Sequence, residues 1–184
     1  MRLALSFFIT CLFLPSSLFA KTVEDSFLKG DRESIIYQIE SFDKKDKPKN
    51  IILLIGDGMG MNHITLSRMA IGGDNYQLAL DQMPYIGTST TQSSNDLITD
   101  SAAAATTWAT GKKTKNKYLS MTPDKEPLQT ITELLSKRGY LTGVVATSSV
   151  THATPAAFFS HVDSRYKTKE IASQLLSSSI DVAF

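Results

Sequence analysis

The sequence has 184 residues, 42% of them hydrophobic, enough for one globular domain with a packed core. A formal net charge of +1 leaves no basic field for a nucleic acid or an anionic membrane surface, so neither is an expected partner. At the start of the chain, Arg2 supplies a positive charge, Leu3 to Leu14 is almost entirely apolar, and Pro15-Ser16-Ser17-Leu18-Phe19-Ala20 breaks the run. This is the build of a secretory signal peptide over residues 1–20, cleaved after Ala20, which predicts a periplasmic or secreted protein. The apolar run is shorter than the roughly 20 residues a membrane span needs, so no stable membrane anchor is expected. An uncleaved anchor or a buried N-terminal helix is the alternative. The sole cysteine, Cys11, lies inside this run. It has no small residue beside it and the apolar run continues past it, which argues against a lipoprotein. A mature chain without Cys11 has no thiol to staple it, so stability beyond packing must come from metal ions or a partner subunit.

Residues 21–48 form a polar segment with one amphipathic stretch, Ser34-Ile35-Ile36-Tyr37-Gln38-Ile39-Glu40, read as a surface helix. It leads into Lys44-Lys45-Asp46-Lys47-Pro48-Lys49-Asn50, a solvated linker. At Ile51 the texture changes. Ile51-Ile52-Leu53-Leu54-Ile55, ended by Gly56, reads as a strand buried on both faces. Leu141 to Thr147 is a second such run, and Ile180 to Phe184 a third at the chain end. Thr88 to Ser94 reads as strand and loop. Helical patterns cover Asn62 to Ala70, Ser101 to Thr110 stopped by Gly111, Leu128 to Arg138 stopped by Gly139, and Lys169 to Ser177. Buried-type strands alternating with helices predict an α/β fold with a mainly parallel sheet, whose sites form in loops beyond the carboxyl ends of strands.

Three places along residues 49–184 could carry chemistry. Gly56-Asp57-Gly58-Met59-Gly60 follows the first strand. Glycines around an acidic residue leave its carboxylate open to a cation, although Asp57 could equally cap the helix that follows. The glycine spacing fits neither the Walker nor the dinucleotide fingerprint. Thr99-Asp100-Ser101, followed by four alanines, is a strong helix start. Asp100 and Ser101 can serve only as caps, or the free N–H groups of the helix end can hold an anionic phosphate beside the Ser101 hydroxyl. No general base adjoins that hydroxyl, so a metal would have to activate it. In Thr151-His152-Ala153-Thr154-Pro155, Pro155 suits the first turn of a helix with Thr154 as cap. His152 is then either a surface histidine or a ligand. Arg165 is either a surface salt-bridge former or a fork for two phosphate oxygens.

Taken together, three segments resemble the alkaline phosphatase family: Asn50 to Gly60, Thr99-Asp-Ser-Ala-Ala-Ala-Ala-Thr106, and His152-Ala-Thr-Pro-Ala-Ala157 with Arg165. Their order and spacing agree as well, and the resemblance covers most of the chain from Lys49 onward. It implies a three-layer α/β/α fold with a mainly parallel sheet, incomplete in this chain, and an N-terminal part of a catalytic domain over residues 49–184. It further implies hydrolysis of small phosphate monoesters through a phosphoserine at Ser101, with Zn²⁺ and Mg²⁺ as cofactors. Asp57 would bridge a zinc and a magnesium ion, and zinc would ionise Ser101. Asp100 would orient Arg165, Arg165 would clamp the phosphate, and Thr154 would be an oxygen ligand on the magnesium side. His152 stands where family members carry aspartate or histidine; an imidazole prefers zinc, whereas magnesium wants hard oxygens. A homodimer is implied for a full-length protein.

Asp57, His152 and Thr154 cannot supply a two-zinc and one-magnesium site, and His63 and His161 match no ligand position of the family. The chain is therefore expected to be a truncated portion of a longer enzyme. The alternative is a non-catalytic secreted fragment or pseudoenzyme of the same fold. A sulfatase or phosphomutase is disfavoured by Asp100-Ser101-Ala102.

Overall fold

The computed structural model describes residues 30–38 and 48–184. The expected signal peptide, Cys11 and the lysines up to Lys47 lie outside the described residues, as do Ile39 and Glu40 of the expected surface helix. The chain divides into two compact units. One runs to Leu53 and takes in Met59–Ile86; the other comprises Leu54–Gly58 and Gly87–Phe184.

The first unit holds helix α1 (Met61–Gly72) and a 3₁₀ turn (Ala79–Gln82). Helix α1 ends at Gly73, whose φ of 83° lets its N–H turn back to the Met69 carbonyl. Arg68 forks onto Asp81, with Nη2 at 2.5 Å and Nε at 3.1 Å from its two oxygens. Residues 34–38 are not helical, contrary to the amphipathic reading. Their backbone is committed elsewhere: Tyr37 N–H donates to Gln82 Oε1, and the Ile35 carbonyl accepts from Gln82 Nε2, each at 2.8 Å. The Ser34 hydroxyl accepts from Gln77 N–H at 2.8 Å. The adjacent β-branched Ile35 and Ile36 add little helix propensity to resist these bonds.

The second unit contains α2 (Ser101–Thr110), α3 (Ile131–Ser136), β1 (Gly143–Val144), α4 (Ala153–Ala156), α5 (Thr168–Leu176) and β2 (Val182–Ala183). Strands β1 and β2 pair in parallel, Gly143 opposite Val182 and Val144 opposite Ala183, with α4 and α5 between them in the chain. Both were expected, although longer. Flanking bonds continue the ladder, from Asp181 N–H to the Thr142 carbonyl at 2.9 Å and from Ala146 N–H to the Phe184 carbonyl at 3.0 Å.

The strand expected at Ile51–Ile55 is not formed, and its side chains are between 36% and 85% exposed. A strand satisfies its backbone only across a neighbour, and among the described residues none pairs with this run. Residues 88–92 likewise form no strand. Helix α2 matches its expected bounds, closed by Gly111 at φ 72°. Helix α3 starts later than expected because Thr130 caps it: Thr130 Oγ1 accepts from Glu133 N–H at 3.2 Å, and Glu133 Oε2 accepts from Thr130 N–H at 2.9 Å. Thr154 is not a cap; His152 is the N-cap of α4 and Pro155 sits within its first turn, where no N–H is needed.

Helix α2 packs on α4, and both are built largely from alanine. Ala102, Ala105, Ala109, Ala153 and Ala156 share one core with Leu119, Phe159, Val162 and Ile171. The hydroxyls of Ser120 and Thr132 donate to the carbonyls of Ala157 and Phe158, which ties the end of α4 to its neighbours. Ile171 on α5 is 0% exposed. Ile171→Ala is therefore expected to destabilise this unit by about 2–5 kcal/mol in a urea unfolding curve.

Asp163 ties two segments at the edge of this core. Lys167 Nζ lies 2.6 Å from one of its oxygens and Lys125 Nζ 2.9 Å from the other. Hydrogen bonds from Lys167 first, then Lys125, hold the Asp163 carboxyl down to about 2 against the opposing effect of desolvation. A carboxyl with a depressed folded pKa adds stability above its unfolded pKa and loses it as pH falls. The contribution should fade between about pH 4 and about pH 2. Asp163→Asn should flatten the acid limb of a thermal-stability profile over that window and leave its neutral plateau shape unchanged.

Candidate active site

The turn after residue 55 presents Asp57, with Gly58 at φ 68° allowing the backbone to double back. Both oxygens of Asp57 accept hydroxyls. Ser101 Oγ donates to Oδ1 at 2.9 Å, and Thr154 Oγ1 donates to Oδ2 at 2.9 Å. Three positions far apart in sequence thus converge on one carboxylate, carried by a turn, by α2 and by α4. Asp57 caps no helix here: the residue before α1 is Gly60, which makes no side-chain cap.

Ser101 is the first helical residue of α2 because Asp100 takes the cap. Asp100 Oδ1 accepts from Ala103 N–H at 3.0 Å. Its Oδ2 accepts from Arg165 Nη1 at 3.2 Å and from Lys117 N–H at 3.1 Å. The second Arg165 nitrogen, Nη2, lies 3.0 Å from His152 Nε2. A guanidinium only donates, so this imidazole accepts at Nε2 and carries its proton on Nδ1. Each Nη keeps a second N–H, and among the described residues nothing else accepts from the Arg165 guanidinium. The arrangement is a cation braced from behind by Asp100 and His152, with a pair of donors left for an anion.

Five expected residues therefore fall into two linked sets. Ser101 and Thr154 meet on the Asp57 carboxylate, and Arg165 lies between Asp100 and His152, bonded to each. The peptide bond between Asp100 and Ser101 connects the sets. His152 makes its bond to Arg165 rather than to Asp57. His161 lies outside both sets, with its ring nitrogens 2.8 Å from the Ser120 carbonyl and 2.9 Å from Glu133 Oε1. One residue escaped the sequence reading. Asn116 accepts from Asp100 N–H at 3.1 Å, and the only local signal was the turn preference of asparagine.

Carboxylate and hydroxyl oxygens around Asp57 are the hard donors magnesium takes, so this half of the expected metal chemistry fits. Zinc prefers nitrogen or sulfur ligands, and among the described residues no three His, Cys, Asp or Glu side chains cluster.

The sequence profile of the alkaline phosphatase family matches residues 48–182. The chain belongs to the alkaline phosphatase family. It is 41% identical over 131 residues to the alkaline phosphatase of Schizosaccharomyces pombe, covering 69% of this chain and 24% of that protein. With the streptomycin-6-phosphate phosphatase of Streptomyces griseus it shares 45% identity over 123 residues, covering 64% of this chain and 27% of the other. Among solved structures it resembles a histidine mutant of the alkaline phosphatase from the Antarctic bacterium TAB5, which has magnesium bound. The TM-score is 0.70 at 38% identity, over 74% of this chain and 38% of that one. The chain thus carries the alkaline phosphatase fold in part, and it spans about a quarter of the length of the curated relatives it matches.

Proposed function

We propose that the protein to which this sequence belongs hydrolyses phosphate monoesters through a phosphoserine on Ser101. One observation carries the reading: the Ser101 hydroxyl stands at the first position of α2, bonded to Asp57, while the adjacent Asp100 braces Arg165. The guanidinium binds two non-bridging oxygens of the ester phosphate through its remaining N–H groups. The N-terminal end of α2 adds its positive dipole at the same point. Ser101 Oγ attacks phosphorus, forming an O–P bond as the ester O–P bond breaks, and the leaving alcohol takes a proton. Water then attacks phosphorus from the side the alcohol vacated, opposite Ser101 Oγ; the Ser101 O–P bond breaks, the serine oxygen takes a proton, and phosphate is released. Asp57 Oδ1 holds the hydroxyl by accepting its hydrogen bond and is placed to take its proton as the oxygen attacks, the proton that the leaving alcohol then needs.

The cations proposed are zinc and magnesium, with Asp57, Ser101 and Thr154 as oxygen ligands; His152 would join them only by giving up its bond to Arg165. Bound there, a divalent ion would lower the pKa of the serine hydroxyl and offset negative charge on phosphate. For the complete protein we propose a three-layer α/β/α fold and, on the signal-peptide pattern of residues 1–20, export from the cytoplasm. The activity reading is tested by incubating the full-length protein with an aryl phosphate, zinc and magnesium at alkaline pH and quenching in acid. Peptide mapping should place the trapped phosphoryl group on Ser101; a label found on any other residue contradicts the reading.

A further inference from the structure

The loop that follows α2 is bonded to the candidate site more tightly than a connection requires. Asn116 Oδ1 accepts from Asp100 N–H at 3.1 Å, while its Nδ2 donates to the Ile98 carbonyl at 2.9 Å. One amide thereby grips the backbone on both sides of Thr99. Its own N–H donates to Asn95 Oδ1 at 2.9 Å. The next residue, Lys117, has a φ of 75°, where a side chain crowds the backbone and glycine is favoured. That turn aims both groups of the Lys117 residue at the site. Its N–H donates to Asp100 Oδ2 at 3.1 Å, and its carbonyl accepts from Arg165 N–H at 2.8 Å. Arg165 Nη1 then returns to Asp100 Oδ2 at 3.2 Å.

These bonds close a ring, from the Asp100 carboxylate through Lys117 to the Arg165 main chain, out along its side chain and back to the carboxylate. Resting on the reading of Arg165 as the phosphate clamp, we propose that Asn116 is a positioning residue that fixes the Arg165 guanidinium relative to the Ser101 hydroxyl. It does so by pinning the entry to α2 while the left-handed residue beside it holds the Arg165 main chain and the Asp100 carboxylate that takes the guanidinium. Strained backbone of this kind persists only where surrounding bonds over-determine it, and the three bonds of Asn116 do so. An arginine held only at its head would keep rotamer freedom that a phosphate must then remove.

The test uses the whole chain, nitrogen-15-labelled and without added metal. In the unsubstituted protein, hindered rotation of the braced guanidinium should give resolved Arg165 Nη signals, and the Lys117 amide should exchange slowly. Asn116→Ala should average the Nη signals, speed that exchange and weaken orthophosphate binding about tenfold, the scale of losing an orienting partner. Asn116→Asp keeps the acceptor for Asp100 N–H and loses the donor to Ile98, so it should fall between; it decides the matter if the alanine variant does not fold. Lys117→Gly should raise Tm and keep the signals resolved, because it retains both main-chain groups. Resolved Nη signals and slow Lys117 exchange in Asn116→Asp or a folded Asn116→Ala would overturn the inference. If the unsubstituted chain binds no orthophosphate yet Asn116→Ala still averages the signals, the positioning role stands and the phosphate-clamp reading falls.

Discussion

Ser101→Ala should leave no trapped phosphoryl group and slow ester turnover of the full-length protein by on the order of 10⁴-fold or more. No neighbouring hydroxyl can take over. The rest of the first turn of α2 is Ala102, Ala103 and Ala104, and Thr154 reaches the other oxygen of Asp57 from a different helix. The loss would not come from unfolding, because Asp100 and not Ser101 caps α2 through its bond to Ala103 N–H. An unchanged melting curve alongside the lost label separates chemistry from stability. Full turnover by the alanine variant would end the assignment.

Arg165→Ala should weaken orthophosphate binding by about 1.5–3 kcal/mol, as expected for a hydrogen bond to a charged group. That is roughly a ten- to hundredfold rise in Kd, readable by calorimetry. The helix beneath should survive. Removing the guanidinium leaves Asp100 Oδ2 with the Lys117 N–H and leaves its Oδ1 on the cap of α2. Arg165→Lys restores the charge without the planar fork, so it should recover only part of the affinity. Equal Kd for Arg165→Ala and the unsubstituted protein would remove the arginine from the site.

Features decided by near neighbours were readable from the sequence. Helix α2 combines an Asp cap, an alanine run and a terminal glycine, and its bounds agree to the residue. The parallel pairing of β1 and β2 was also legible, since two apolar runs with helices between them leave few other arrangements. The apolar run at Ile51–Ile55 shows the limit: hydrophobicity marks a segment that seeks a partner, and pairing is a property of the partner. Residues 34–38 failed as a helix for a related reason, because Gln82 takes backbone groups that helix bonds would need.

At the site, the candidate residue types were legible in the sequence and their convergence was not. Asp57, Ser101 and Thr154 were each ambiguous between cap and ligand; Asp57 and Thr154 cap no helix, and the Asp57 carboxylate accepts the hydroxyls of the other two. Asn116 carried no mark beyond the turn preference of asparagine, because what sets it apart is what it holds and not what it is.

The methyl groups between α2 and α4 act as a spacer. Ser101 and Thr154 ride on opposite sides of that thin layer, so its thickness dictates how far apart their oxygens stand at Asp57. Tuning the chemistry from beneath would need no new functional group: one added carbon at Ala102 or Ala153 would wedge the helices and detune the pair of hydroxyls together.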